Sequence, residues 1–336
     1  MQTINGQSIT PPRQLGAESY LNVRPGQSVP RRLEYIDLVK GVGIILVVLG
    51  HGPFPFHFAI DVFHMPLFFF LAGITFHEPT DPNRYVIGKC KRLVVPYVFY
   101  SLTFGVVSTL LHFGQGPLWF FETILIAVVL FMILQRKLSR WLLCATVISL
   151  SFVGIVLSSN GYAGILPFNM CRAFVAMLFI YCGYIYRDFL LSEHGARIWI
   201  YTALAGLVLY TSGILLYKNA VTEGASFING RIYTENFFLF YLTSIGGILL
   251  TVALCRAVGK ISFVNWLGRN SLTIMAAHWP LIQVLNTLIG KTELFQTIWG
   301  KLILTVTELI LIFAFCVVCS LCFRRYIPRL TGYKPI

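Results

Sequence analysis

Long apolar runs separated by short polar stretches fill this chain. They fall at about residues 36–53, 57–76, 93–113, 117–135, 141–158, 165–186, 197–217, 236–257, 268–289 and 300–323. Most approach the roughly 20 apolar residues that a helix rising about 1.5 Å per residue needs to cross a bilayer core. The pattern predicts an all-α integral membrane protein of about ten transmembrane helices. The first run is short and begins with charges, and Gly114, Gln115, Gly116 and Pro117 leave only a tight turn between the third and fourth. No internal repeat is visible.

The polar positions give the organisation. Residues 1–30 are rich in Pro, Gly, Gln and Ser and have no apolar period, so they read as a disordered cytoplasmic tail. They lack the charged start, apolar stretch and cleavage site of a signal peptide. Residues 31–325 make the membrane domain, and 326–336 a cytoplasmic C-terminal tail. With the N-terminus inside, nearly every Lys and Arg falls on the cytoplasmic side. The outer loops hold only Lys218, Arg231, Lys291 and Lys301, and Arg172 lies within a segment. That bias is a positive-inside signal for a multi-pass protein of the plasma (inner) membrane, and it favours an even number of crossings.

Composition narrows the function classes. Of 336 residues, 57% are hydrophobic and 12% charged, against about 25% charged in soluble domains. No room remains for a soluble domain of ordinary size. The net charge of +13 is spread between apolar segments rather than gathered on one wet face. It therefore reads as topology and contact with membrane lipid headgroups, not nucleic-acid binding. Of the eight cysteines, Cys316, Cys319 and Cys322 share a helix face, but no His or carboxylate stands near them as a further ligand. They read as small apolar helix residues, with no metal site. No Gly-x-Ser-x-Gly elbow, Walker loop or dinucleotide loop occurs.

Ionisable groups inside apolar segments are costly and are functional candidates by default. Here they are Asp37, Lys40, His51, Asp61, His64, His112, Glu122, Arg172, His278 and Glu308. Lys40 and His51 are eleven residues apart, close to three turns, so they share one face of the first helix. Asp37 lies about 21 Å from His51 along that helix. Gly41, Gly43, Gly50 and Gly52 suggest open space beside it. In the second segment Pro66 predicts a broken helix next to His64. At the cytoplasmic mouth of the third, the run Lys89, Cys90, Lys91, Arg92 suits capture of phosphates.

Several stretches together resemble the acyltransferase-3 family of membrane proteins, which O-acylate bacterial surface glycans. The stretch from Arg32 through Asp37, Lys40 and Gly41 to Gly50 and His51 resembles that family's first helix. Phe63 to Gly73 is similar to its second, and Lys89 to Tyr97 to its Arg-x-x-Arg stretch. Trp119–Phe120 matches a recurrent Trp-Phe, and Gly268, Arg269, Asn270, Ser271 and His278 a late Gly-x-Asn-Ser-Leu…His segment. Lys40 and Lys89 stand where Arg is commoner, and Ala72 replaces the usual Ser. The Lys-Gly form and the Phe-His-Met-Pro stretch look most like the short fucose 4-O-acetylase-like branch.

The resemblance implies an acyl-CoA donor, usually acetyl-CoA, used as substrate with no permanently bound cofactor. It implies a glycan or lipid-linked sugar as acceptor. On this reading Lys40, Lys89, Lys91 and Arg92 bind the CoA phosphates and His51 is the general base, since an unperturbed imidazole titrates near pH ~6.5. Asp61 or Glu122 orients that base. His64, Trp119, Arg172 and His278 shape the acceptor cavity, and Asp37 pairs with local cations. Direct attack and an acyl-His intermediate both stay open. The competing class is a polytopic transporter or flippase, because broken helices and buried charges also mark substrate pathways.

Overall fold

The computed structural model describes residues 31–110, 118–162, 165–192, 194–220, 236–289 and 297–331. The tail 1–30, His112, the Gly114–Pro117 turn, Arg231, Lys291 and Lys334 lie outside the described residues. In chain order the α-helices are α1 (Arg31–His51), α2 (His57–Asp61), α3 (His64–Ile74), α4 (Pro82–Tyr100) and α5 (Val106–Leu110). After them come α6 (Trp119–Lys137), α7 (Arg140–Ser159), α8 (Met170–Leu191), α9 (Ala196–Ala220) and α10 (Phe237–Val258). The last are α11 (Ser262–Arg269), α12 (Ser271–Ile289) and α13 (Ile298–Tyr326). Among the described residues no strand occurs. The fold is that of an all-α polytopic membrane protein.

Among the described residues, eight helical stretches are long and apolar enough to cross a membrane. They coincide with the second to eighth and the tenth expected segments. The other two expected segments are also helical, as α1 and as α11 followed by α12; α1 carries Glu34, Asp37, Lys40 and His51, and the second carries Arg269 and His278. α1 packs against α2, α3, α10, α11, α12 and α13. Its Val39, Ile44 and Val47 are fully buried. By contrast α4, α7, α9 and α13 leave Val98, Phe152, Val208 and Ile310 exposed, the apolar surface that lipid covers. The polar helix is thus walled from lipid by apolar ones.

Small residues set the closest helix approaches, as expected where apolar surface alone gives no preference between lipid and protein. A Cβ on Gly73 would strike the Ile180 carbonyl oxygen, and one on Gly183 the Phe70 carbonyl oxygen, so α3 and α8 cross backbone to backbone. Gly41 and Gly268 do the same for α1 and α11, meeting the carbonyls of Val264 and Asp37. This corrects the expectation of open space along the first helix: Gly41 is filled by α11, and Gly43 by Phe68 and Leu67.

The break in the second segment lies earlier than Pro66 suggested. Val62 and Phe63 interrupt the helix, and Pro66 sits in the first turn of α3, where its missing N–H is one the helix would leave unpaired anyway. Proline at 66 cannot donate to the carbonyl four residues back, Val62, and Ser244 Oγ donates to it instead at 2.6 Å. At α4, Asp81 caps the helix by accepting from the Arg84 N–H at 3.1 Å, with Pro82 at the first position.

Candidate active site

The candidate site occupies the two ends of α1. At the Lys40 end, Glu34 pairs with Lys260 at 2.7 Å and Asp37 with Arg269 at 3.7 Å, which gives Asp37 the cation partner expected of it. Lys40 lies within electrostatic range of Asp37 and Arg92, and Lys89 within range of Arg92 and Lys40. The structure therefore gathers Lys40, Lys89 and Arg92 from α1 and α4. Lys91 and Arg92 are both exposed; Lys91 lies two positions past Lys89 and so on another face of the helix. The Lys89 ammonium stands 5.2 Å from the centre of the Tyr85 ring. The Tyr85 hydroxyl is buried without a hydrogen-bond partner.

Other arginines at this end are committed to the fold. Arg136 donates to the Pro79 carbonyl at 2.7 Å, and Arg256 to the Ser192 carbonyl at 3.2 Å while lying over the Tyr35 and Trp199 rings. An open groove of about 440 Å³ lies nearby, lined by residues such as Gln135, Tyr181, Tyr184 and Arg187. It contains no imidazole.

At the other end of α1, His51, His64 and His278 converge. The His51 ring centre is 6.1 Å from that of His64, 5.3 Å from that of His278 and 5.5 Å from that of Trp279, all edge to face. One device orients all three. The His51 Nδ1–H donates to the Val47 carbonyl at 2.8 Å, that of His64 to Ile60 at 3.0 Å, and that of His278 to Ile274 at 2.8 Å. A carbonyl can only accept, so in the neutral ring Nε2 holds the lone pair. His51 is partly buried and its ring is in edge contact with those of His64, His278 and Trp279.

Two glycines flank His51 and bring carboxylates close. A Cβ on Gly50 would lie 2.7 Å from Asp61 Oδ1, and one on Gly52 would lie 2.9 Å from Glu308 Oε2. Asp61 accepts from His57 at 3.0 Å, lies 3.8 Å from His64 Nδ1, and is close enough for its charge to act on His51. Of the two carboxylates proposed for the base, Asp61 is therefore at the site. Glu122 is not brought to His51; its electrostatic partner is Arg172, whose guanidinium lies 5.4 Å from the Trp119 ring centre. Glu122, Arg172 and Trp119 form their own group. The group orienting His51 is its own helix's carbonyl, not a carboxylate.

Between the two ends, Ile44 and Val47 continue the face of α1 shared by Lys40 and His51, and both are fully buried. Trp279 and Tyr85 are not among the sequence candidates, and Glu308 stands among them without a role. Trp279 adjoins His278 in the chain and Glu308 is an acid within an apolar run, and those were the signals available. Among the described residues no group of three His, Cys, Asp or Glu has the arrangement to hold a metal ion.

Comparison with known proteins gives the family. The model of the acyltransferase-3 family, described as an acyltransferase domain, matches residues 33–325. A nodulation protein, NolL, of Sinorhizobium fredii is 31% identical over an alignment of 155 positions that covers 36% of this chain and 42% of that protein. The match thus spans less than half the length of that relative. No solved structure matches. With the family match running from the start of α1 almost to the end of α13, this chain belongs to the acyltransferase-3 family of membrane acyltransferases.

Proposed function

We propose that the chain is an O-acyltransferase of the bacterial inner membrane that moves an acetyl group from cytoplasmic acetyl-CoA to a sugar hydroxyl. The acceptor is a surface polysaccharide, a lipopolysaccharide or a lipid-linked oligosaccharide. Lys40, Lys89 and Arg92 hold the CoA phosphates, with the Tyr85 hydroxyl as a further donor. The pantetheine arm runs along the Lys40–His51 face of α1, a distance of about 17 Å that the extended arm covers. Its passage parts Ile44 and Val47 from their neighbours. No cofactor is resident; the donor is a substrate.

His51 Nε2 accepts the proton of the acceptor hydroxyl as its oxygen bonds to the thioester carbonyl carbon. The C–S bond then breaks, and the CoA thiolate takes the proton from the imidazolium, leaving ester, free thiol and neutral His51. Asp61 stabilises the transient imidazolium through its charge. His64 and His278 form the wall on the acceptor side, and Arg172 with Trp119 and Glu122 lies further from the base. The observation that carries this reading is the fixed Nδ1–H of His51, bonded to Val47 at 2.8 Å, which leaves the lone pair on Nε2.

The test is His51→Ala and His51→Gln in membranes, with radiolabelled acetyl-CoA and glycan extracts as acceptor. Acyl transfer at background level with normal protein abundance is expected. Turnover within threefold of wild type would remove His51 as the base. A transporter would release no CoA thiol when glycan is added.

A further inference from the structure

Three buried polar atoms near His51 have no hydrogen-bond partner: His278 Nε2, Trp279 Nε1 and Glu308 Oε1. Their side chains come from α12 and α13, which pack against each other and both touch α1. His278 is 0% and Glu308 2% exposed. Buried polar groups in native proteins are almost always paired, so three such atoms on side chains around His51 and Gly52 need a physical reason. Unrelated orphans elsewhere, such as Ser320 Oγ and Gln135 Oε1, do not adjoin an imidazole cluster.

The chemistry of the three atoms is specific. The His278 Nδ1–H is spent on the Ile274 carbonyl, so Nε2 is an acceptor. Indole Nε1–H only donates, and a carboxylate accepts. A metal ion does not suit this set, because an indole N–H cannot ligate it. A secondary amide, with its single N–H, or a purely apolar ligand leaves part of it unmet. Hydroxyl groups both donate and accept, so two neighbouring hydroxyls on one ring satisfy all three atoms together. Glu308 reaches the site because residue 52 is glycine: its Oε2 stands where a Cβ there would begin.

We propose that His278, Trp279 and Glu308 form a diol-binding subsite that holds a carbohydrate acceptor by two adjacent ring hydroxyls beside His51. This deepens the acyltransferase reading and rests on it. Trp279 donates to one hydroxyl oxygen, while His278 Nε2 and Glu308 accept the two hydroxyl protons. The subsite orients the ring and leaves the hydroxyl to be acylated directed at His51 Nε2. Selectivity for a vicinal diol over a simple alcohol follows, since a lone hydroxyl leaves buried partners unmet.

The experiment uses the full-length chain purified in detergent, acetyl-CoA as donor, and release of free thiol as readout. The acceptors are a panel of methyl glycosides, with 1-butanol as the alcohol lacking a diol. Wild-type thiol release is expected to rise with at least one glycoside and not with butanol. Trp279→Phe, which keeps an aromatic ring and removes the N–H, and Glu308→Gln are each expected to raise the glycoside KM about tenfold. The acetyl-CoA KM is expected to stay within twofold. An unchanged glycoside KM in both variants overturns the subsite. So does an equal rise in both KM values, which marks a structural role, and so does a wild type stimulated equally by butanol or by no glycoside. If Glu308→Gln fails to fold, Trp279→Phe decides alone. Full activity in His51→Ala, with the glycoside KM still raised in Trp279→Phe, would sink the base and leave the subsite standing.

Discussion

The contact between α1 and α11 makes a demand that two alanines can test. A Cβ on Gly41 would strike the Val264 carbonyl oxygen and come within 2.7 Å of Val264 Cγ1. On the other helix, a Cβ on Gly268 would strike the Asp37 carbonyl oxygen and come within 2.9 Å of the Gly41 nitrogen. Backbone oxygens cannot rotate away, so either alanine must push the helices apart by about 1 Å to reach ordinary van der Waals separation. That movement strains the bonds between the two: Glu34 with Lys260 at 2.7 Å, Asn265 with the Glu34 carbonyl, and Asp37 with Arg269. Overpacking of this kind costs about 1–3 kcal/mol, against a helix-propensity gain of at most about 1 kcal/mol for Gly to Ala. Gly88 is the control, since nothing lies within 4 Å of a Cβ there. Thermal unfolding of the detergent-purified chain is the assay. Gly88→Ala is expected at or above the wild-type Tm, with Gly41→Ala and Gly268→Ala below it. Because both glycines serve one approach, the double variant is expected to lose less than the sum of the singles. A Gly41→Ala Tm equal to that of Gly88→Ala would refute the backbone-to-backbone packing.

Two further outcomes are expected. Lys40→Met and Lys89→Met each raise the acetyl-CoA KM about tenfold, or about 1.4 kcal/mol per charge-assisted contact, while Lys91→Met changes it less than twofold; steady-state kinetics at low salt would decide, and an equal effect at Lys91 counts against the cluster. Ser244→Ala strips the partner from the Val62 carbonyl and lowers stability by about 1–2 kcal/mol, read as a fall in Tm, and an unchanged Tm would show that the carbonyl finds another donor.

The crossings were legible because length of apolar run is the strongest signal a membrane chain carries, and eight of the expected segments are helices of the required kind among the described residues. The gathering of Lys40 with Arg92 was legible in kind, since cations at one mouth suggest one ligand. Their exact membership was not. Lys91 adjoins the others in sequence, yet a helix turns it to another face. Glycine was ambiguous for a related reason: absence of a side chain reads equally as a cavity or as a close crossing, and at Gly41 only the position of Val264 decides. Pro66 named the broken segment but not the point of breakage, because proline is also at home in a first turn. Glu122 matched His51 in depth, and depth says nothing about which neighbour a helix faces. The meeting of His51 with His278 depends on packing across most of the chain, and only the family resemblance placed both in one motif set.

The placement of α1 follows from a conflict that each polar membrane helix must resolve. A helix with Glu34, Asp37, Lys40 and His51 cannot face hydrocarbon cheaply, yet it runs through the interior of a membrane domain. Surrounding it with α3, α10, α11, α12 and α13 removes it from lipid and supplies partners at the charged end. At the imidazole end the helices supply their own: each histidine spends its Nδ1–H on the carbonyl one turn back. That leaves every ring one committed nitrogen and one directed outward, with no external group needed to select the tautomer. What then separates the three rings is what Nε2 meets. His51 sits at the junction of the acid from α2, the acid from α13 and the indole of α12, whereas His64 and His278 each approach that junction from one side. The central ring of three otherwise equivalent imidazoles is the one at which, in the mechanism proposed above, a donor following the Lys40 face would meet an acceptor arriving from the opposite end.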